Sequence, residues 1–306
     1  MPTPEDGHAV TVAPAGFDDM LEVFGWLDRD PVVNAYLVAL VLRDGLSAAR
    51  DECWLARRGG RPAGLLYLGA ASGAVLPVGE DAVVHALLAD RVARRVAFLP
   101  PRFQAVGPRP AVDAVVARLR RDGREPRLER PQTYMAVERD RLPAFERLPG
   151  LRLACPDDYD LVYRSGAELR AEELEEDPRT ADPESYARRV TEECRQGYTW
   201  LWLEHGSLRF RASLSALTPD AVQIAGVYVP PEHRNLGCAR RGLAELCARM
   251  FERTRAACLF VNDSNAPAIA VYRRLGFREV AEWASAFYVP AAAGGAGARG
   301  AGGLSA

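Results

Sequence analysis

Val222-Gln223-Ile224-Ala225-Gly226-Val227-Tyr228-Val229-Pro230-Pro231-Glu232-His233-Arg234-Asn235-Leu236-Gly237-Cys238-Ala239 runs straight into an amphipathic stretch that ends at Thr254. The order is strand, loop, helix: a β-branched apolar run, a proline-marked turn, then apolar residues at three- and four-residue spacing. Arg234 and Gly237 stand just ahead of the helix, so the backbone N–H groups of residues 235–240 can converge on one point. Free N–H groups and the helix macrodipole both favour an anion there, and a glycine lets a bulky diphosphate approach the backbone. Arg240 and Arg241 oppose the dipole at the helix start, a conflict that an anionic ligand resolves. Taken alone, the loop is equally a plain strand-to-helix turn with a packing glycine.

The chain beyond it decides between the two. A second strand, Ala257 to Val261, leads into Asn262-Asp263-Ser264-Asn265-Ala266-Pro267-Ala268-Ile269-Ala270-Val271-Tyr272-Arg273-Arg274-Leu275-Gly276-Phe277. Together these stretches resemble the GNAT superfamily of N-acetyltransferases. Arg234 to Ala239 fits its Q/R-x-x-G-x-G/A pattern and Asn265 to Phe277 its N-x-x-A-x-x-x-Y-x-x-x-G-F pattern. The resemblance implies that Arg234, Asn235, Leu236, Gly237, Cys238, Ala239 and Arg240 hold the pyrophosphate of acetyl-CoA or another acyl-CoA. It implies that Val227, Tyr228 and Val229 pair with the pantetheine arm, with Asn265 and Ala268 in the same donor-binding set. Tyr272 matches the tyrosine that lies near the thioester sulfur in many relatives and acts as general acid. A phenol of pKa about 10 stays protonated at neutral pH and can donate to a departing thiolate. The other reading of Tyr272 is a core aromatic of an amphipathic helix.

A base to accept the amine proton is sought in Ala171-Glu172-Glu173-Leu174-Glu175-Glu176-Asp177-Pro178, where such relatives place the acceptor-binding loop. Glu173 is nominated; a solvated acidic helix end and a water relay are the alternatives. His8, His85, His205 and His233 are isolated from one another, with His233 flanking the phosphate loop. Cys238 lies within the cradle, where its thiolate is expected to be favoured, so an acyl-cysteine route is a minor alternative.

The surroundings give an α/β (α+β) expectation: a GNAT-like mixed, mostly antiparallel central sheet flanked by helices, preceded by a smaller α/β domain. The expected units are residues 1–140, accessory or degenerate GNAT-like; residues 151–289, the acyltransferase; and a disordered Ala/Gly tail, 291–306. In the second unit Leu151 to Leu153 reads as an edge strand, followed by helices from Pro156 to Glu173 and from Asp182 to Gln196. Three strands at Tyr198 to His205, Arg209 to Ala216 and Ala221 to Val229 form a meander, and Ala284 to Tyr288 is the last strand. In the first unit helices are expected at Gly16 to Trp26, Pro31 to Asp44, Asp81 to Ala89 and Ala111 to Asp122, with strands at Cys53 to Arg57 and Gly64 to Gly69. Arg130 to Met135 reads as a proline-broken end. No internal repeat is visible.

The overall plan resembles actinobacterial GNAT proteins with an extra N-terminal domain, through Asp30 to Leu37, Gly107-Pro108, Arg130-Pro131-Gln132, Glu172-Glu173 and Asp177-Pro178. The first unit lacks the phosphate pattern, and in Gly107-Pro108-Arg109-Pro110 two prolines remove backbone donors. Covering the acceptor site or mediating assembly are its expected roles.

Composition narrows the partners. All 39 basic residues are arginines, and a net charge of -2 offers no global field for nucleic acid or anionic lipid. Six cysteines show no metal-site spacing, so no metal is expected, and no apolar run reaches the roughly 20 residues of a membrane span. With no signal-like start, a cytoplasmic protein is expected. The expected function is acyl transfer to the primary amine of a small molecule or peptide. The alternatives are a longer or carrier-protein-bound acyl donor in specialised metabolism, and a non-catalytic acyl-CoA sensor. An acyl carrier protein and a second copy of the chain stay open as partners.

Overall fold

The structure, a computed structural model, describes residues 9–46 and 51–289; His8 and the expected tail at 291–306 lie outside them. The first half runs β1 (Val10–Pro14), α1 (Met20–Leu27), α2 (Ala35–Asp44), β2 (Asp51–Arg58), β3 (Arg61–Gly69), β4 (Ala74–Gly79), α3 (Ala82–Arg95), β5 (Phe103–Pro108), α4 (Arg109–Arg121) and β6 (Leu128–Glu138). The second runs β7 (Leu151–Leu153), α5 (Tyr159–Leu174), α6 (Pro178–Ala181), α7 (Pro183–Gln196), β8 (Thr199–Glu204), β9 (Ser207–Leu217), β10 (Ala221–Tyr228), α8 (Cys238–Met250), β11 (Ala256–Asn262), α9 (Ala266–Arg274) and β12 (Arg278–Tyr288).

The strands form one sheet in the order β1-β2-β3-β4-β5-β12-β6-β11-β10-β9-β8-β7. Replacing each strand by the one six places along the chain gives the same order reversed. Both halves therefore follow one six-strand plan around a pseudo-twofold axis, a repeat held in topology and invisible in sequence. Pairing is antiparallel except where the fourth strand of each half meets the fifth, β4 with β5 and β10 with β11. Each half's last strand completes the other's sheet: β6 pairs with β11 from Gln132 to Glu138, and β12 pairs with β5 from Trp283 to Tyr288.

Residues 130–135, expected as a proline-broken end, are thus the middle of an 11-residue strand. Pro131 is tolerated because β11 has already ended beside it, its pairing with β6 stopping at Gln132, so the missing N–H removes no bond from that ladder.

Alternation buries both faces. On β3, Leu66 and Leu68 pack with Leu88 and Val92 of α3 and Val115 and Leu119 of α4. Leu65 and Tyr67 point the other way, into Trp26, Leu27, Val38 and Val41 of α1 and α2. In the second half, Phe210, Ile224 and Leu259 meet Leu243, Leu246 and Met250 of α8. Leu201 and Leu208 meet Val162 of α5 and Val190 of α7.

Two features tie the halves together. The α2 helix lies against β9 and β10; beneath it the Tyr134 hydroxyl donates to Val32 O (3.0 Å) and accepts from the Gln223 amide (3.0 Å). The connecting segment is clamped by the buried Glu245 carboxylate of α8, which accepts from Arg147 (2.8 and 3.0 Å), Arg249 (2.8 Å) and Leu148 N–H (3.0 Å). The Arg147 bonds first, with the others, hold this carboxyl down at about 2.

Candidate active site

The strands β10 and β11 pair only at Ala221–Ala256, Val222–Ala257 and Gln223–Cys258. Beyond that they part. A bulge between Ala225 and Tyr228, with Gly226 at φ 59°, disturbs the opposite ladder to β9 and frees the edge of β10 further. The gap opens into a cleft of about 2040 Å³ whose walls include Val227, Tyr228, Val229, Asn265, Ala268 and Tyr272. In the first half β4 and β5 pair only at Ala74–Gln104 and Val75–Ala105, but they stay close beyond that: a Cβ on Gly107 of β5 would lie 2.9 Å from the Pro77 carbonyl of β4.

At the mouth of the gap, Asn235 (φ 61°) and Gly237 (φ 79°) turn the chain through left-handed conformations into α8. At ordinary hydrogen-bond distances and angles, no other described residue accepts from the N–H groups of residues 235–240. Gly237 caps α8 without a side-chain bond, and a Cβ built there meets nothing within 4 Å. Arg240 is exposed on the cleft and has no ion-pair partner among the described residues. Arg234 donates through Nε to Val229 O (3.0 Å) and pairs with Glu172 (2.7 and 2.9 Å). Exposed donors at a helix start, with space in front of them, suit a diphosphate.

The matching loop of the first half is Gly79 to Ala82, between β4 and α3, and not the Gly107 to Pro110 segment compared above. There the Asp81 carboxylate accepts from Val83 and Val84 N–H (3.0 and 3.1 Å) and pairs with Arg58 (2.6 Å). A fixed carboxylate already stands where a bound phosphate would.

Tyr272 lies on α9, buried, its ring 5.8 Å from that of Phe277, with its side chain on the cleft wall. Burial first, then the charge of Glu173, push the phenol above its usual 10. The four glutamates now separate. Glu172 pairs with Arg234, Glu175 with Arg130 (2.6 Å) and Glu176 with Arg102 (2.9 Å). Glu173 has no ion-pair partner among the described residues and faces the cleft. Its side chain is open to cleft water, yet protein surrounds it on most sides. Restricted hydration first, then Glu172, push its carboxyl up to about 7, against the lowering influence of Arg130.

Asn265 caps α9, its Oδ1 accepting from Ala268 N–H (3.2 Å). The Tyr228 hydroxyl donates to Glu168 (2.8 Å). His233 is held by Arg209 (2.7 Å) and Ser207 (2.9 Å) beside the phosphate loop. Cys238 corrects an expectation: it is buried, and burial pushes its thiol up, so the cradle does not favour a thiolate.

Sequence reading missed the contributions of the first half. Arg127 donates to Leu174 O (2.7 Å) and Arg130 to Glu173 O (3.1 Å), so β6 and the segment before it hold the end of α5. Tyr36 and Leu37 of α2 line the same cleft. Arg127 and Arg130 lie 47 and 43 positions from the carbonyls they hold, and no local signal marks them.

Residues 167–277 match the acetyltransferase (GNAT) family. That stretch, which lies in the second half of the chain, is a GNAT acetyltransferase domain. Among solved structures, a tandem GNAT protein from the clavulanic acid biosynthesis pathway is 22% identical, covering 91% of this chain and 98% of its own, with a TM-score of 0.52. A GCN5-related N-acetyltransferase from Sphaerobacter thermophilus is 18% identical over 91% and 95%, TM-score 0.57. A Drosophila protein is 12% identical over 92% and 99%, TM-score 0.65. These likenesses extend the shared fold over both halves, as the repeated strand plan requires. No curated protein matches the chain. Among the described residues, no helix is long and apolar enough to cross a membrane, and no group of three or more His, Cys, Asp or Glu could hold a metal.

Proposed function

We propose that the chain is two GNAT-like units, 1–140 and 151–289, of which only the second transfers an acyl group from acetyl-CoA to a primary amine. The observation that carries this reading is the row of unpartnered N–H groups at 235–240, set at the mouth of the β10–β11 gap with Tyr272 and Glu173 on its walls. Residues 235–240 with Arg240 hold the donor's diphosphate, and the free edge of Val227 to Val229 holds its pantetheine arm. Asn265 and Ala268 border the same arm.

The amine enters from the α5 side and attacks the thioester carbonyl. Glu173 takes the amine proton, since a base with pKa near the working pH is the efficient one. Backbone N–H groups at the bulge of β10 stabilise the developing oxyanion. Tyr272 gives its proton to the departing thiolate. The two side chains are coupled: the charge of Glu173 raises the Tyr272 pKa, so protonating Glu173 makes the phenol a stronger acid as the thiolate leaves.

The test is thiol release from acetyl-CoA against a panel of amines. Tyr272→Phe is expected to lower kcat about 100-fold with acetyl-CoA affinity kept. Binding of acetyl-CoA without turnover on any amine contradicts the reading and favours a sensor.

A further inference from the structure

At the end of the cleft under α7, the first half faces the second across Tyr36 and Arg189. Arg189 is exposed on the cleft wall and has no hydrogen bond or salt bridge among the described residues. Every nearby acid is committed. Glu193, one turn along α7, accepts from Arg211 (2.7 Å), Ser213 (2.8 Å) and Thr199. Glu192 pairs with Arg195 (2.7 Å), and Asp44 with Arg43 (2.6 Å). Arg211 adds a second cation beside Arg189, fixed by Val162 O (2.9 Å). The Arg189 guanidinium is therefore free to meet an anion that enters the cleft. The Tyr36 hydroxyl, likewise without a hydrogen-bond partner among the described residues, adds a donor from the opposite wall. Glu173, at the end of α5, faces the same cleft.

We propose that Arg189, assisted by Tyr36, binds an anionic group, typically a carboxylate, on the amine acceptor. The acceptor is then an amino acid or a similar molecule carrying both charges, its ammonium drawn to Glu173 and its anion to Arg189. Arginine suits this task because its planar fork meets a carboxylate bidentately. The inference rests on the acyl-transfer reading of the same cleft.

The probes are amines in pairs that differ only as carboxylate and carboxamide, with thiol release from acetyl-CoA as readout. The wild type is expected to prefer the carboxylate member by roughly 10- to 100-fold in kcat/KM, the range of a hydrogen bond to a charged group. Arg189→Gln is expected to erase that preference by raising KM for carboxylates alone, with Arg189→Lys restoring part of it and Tyr36→Phe losing a smaller part. Equal turnover of both members by the wild type overturns the inference and leaves acyl transfer standing; so does an Arg189→Gln variant that slows both members alike. Acetyl-CoA binding with no thiol release from either kind of amine overturns both readings.

Discussion

Glu173→Gln separates the chemistry from the fold. In the protein, restricted hydration and Glu172 place the Glu173 carboxyl at about 7, against a usual 4.5. If it is the base, kcat/KM rises through pH 7; at pH 6 about one tenth of the enzyme carries the ionised form. The glutamine keeps the shape and removes the proton acceptor, so the rate falls about 100-fold and the limb at 7 vanishes. Stability moves otherwise. A carboxyl whose folded-state pKa exceeds its unfolded value stabilises the fold most below about 4.5, and that contribution is lost as pH rises through 7. Glu173→Gln is therefore expected to be at least as stable as the wild type at pH 8. The assay is thiol release across pH 5 to 9, paired with thermal unfolding at pH 8. A limb near 7 that survives the substitution refutes Glu173 as the base.

Arg130→Ala removes two donors to the end of α5, one to Glu173 O and one to Glu175. Glu175 is largely exposed, so the loss is about 1 kcal/mol, read as about a fivefold rise in KM for the amine with acetyl-CoA affinity unchanged. Because Arg130 lowers the Glu173 pKa, the acid limb also moves to higher pH, and steady-state kinetics against pH checks both. Gly242→Ala places a methyl inside the contact envelope of the Phe210 ring between α8 and β9. Overpacking of that kind costs about 1–3 kcal/mol and lowers Tm by about 2–4 °C per kcal/mol, measured by calorimetry.

The second half was legible because its signals are local. The strand read at Ala257 to Val261 spans Ala256 to Asn262, and the helix read from Asp182 to Gln196 begins at Pro183. The last strand, read from Ala284, begins at Arg278, since its first residues are charged and exposed and lack an apolar pattern. In the first half, β1, β4 and β5 went unread. β4 is six residues carrying Pro77 and ending at Gly79, a composition that reads as loop until neighbours on both sides bury it. The crossing of β6 and β12 was invisible for a further reason: strand partners 100 or more residues apart leave no trace in one sequence. The same holds at the site. The loop motif and Tyr272 stood out, but four neighbouring glutamates could not be told apart until Arg102, Arg130 and Arg234 claimed three of them.

Calorimetric titration of acetyl-CoA into the wild type and Gly237→Leu weighs the donor site directly. A side chain at 237 projects into empty space and disturbs no neighbour, so folding loses only about 1–2 kcal/mol for a left-handed non-glycine residue. Binding by the wild type and its loss in the folded variant are the expected results. Equal affinity in the two proteins would mean that the diphosphate does not rest on the amides of residues 235–240.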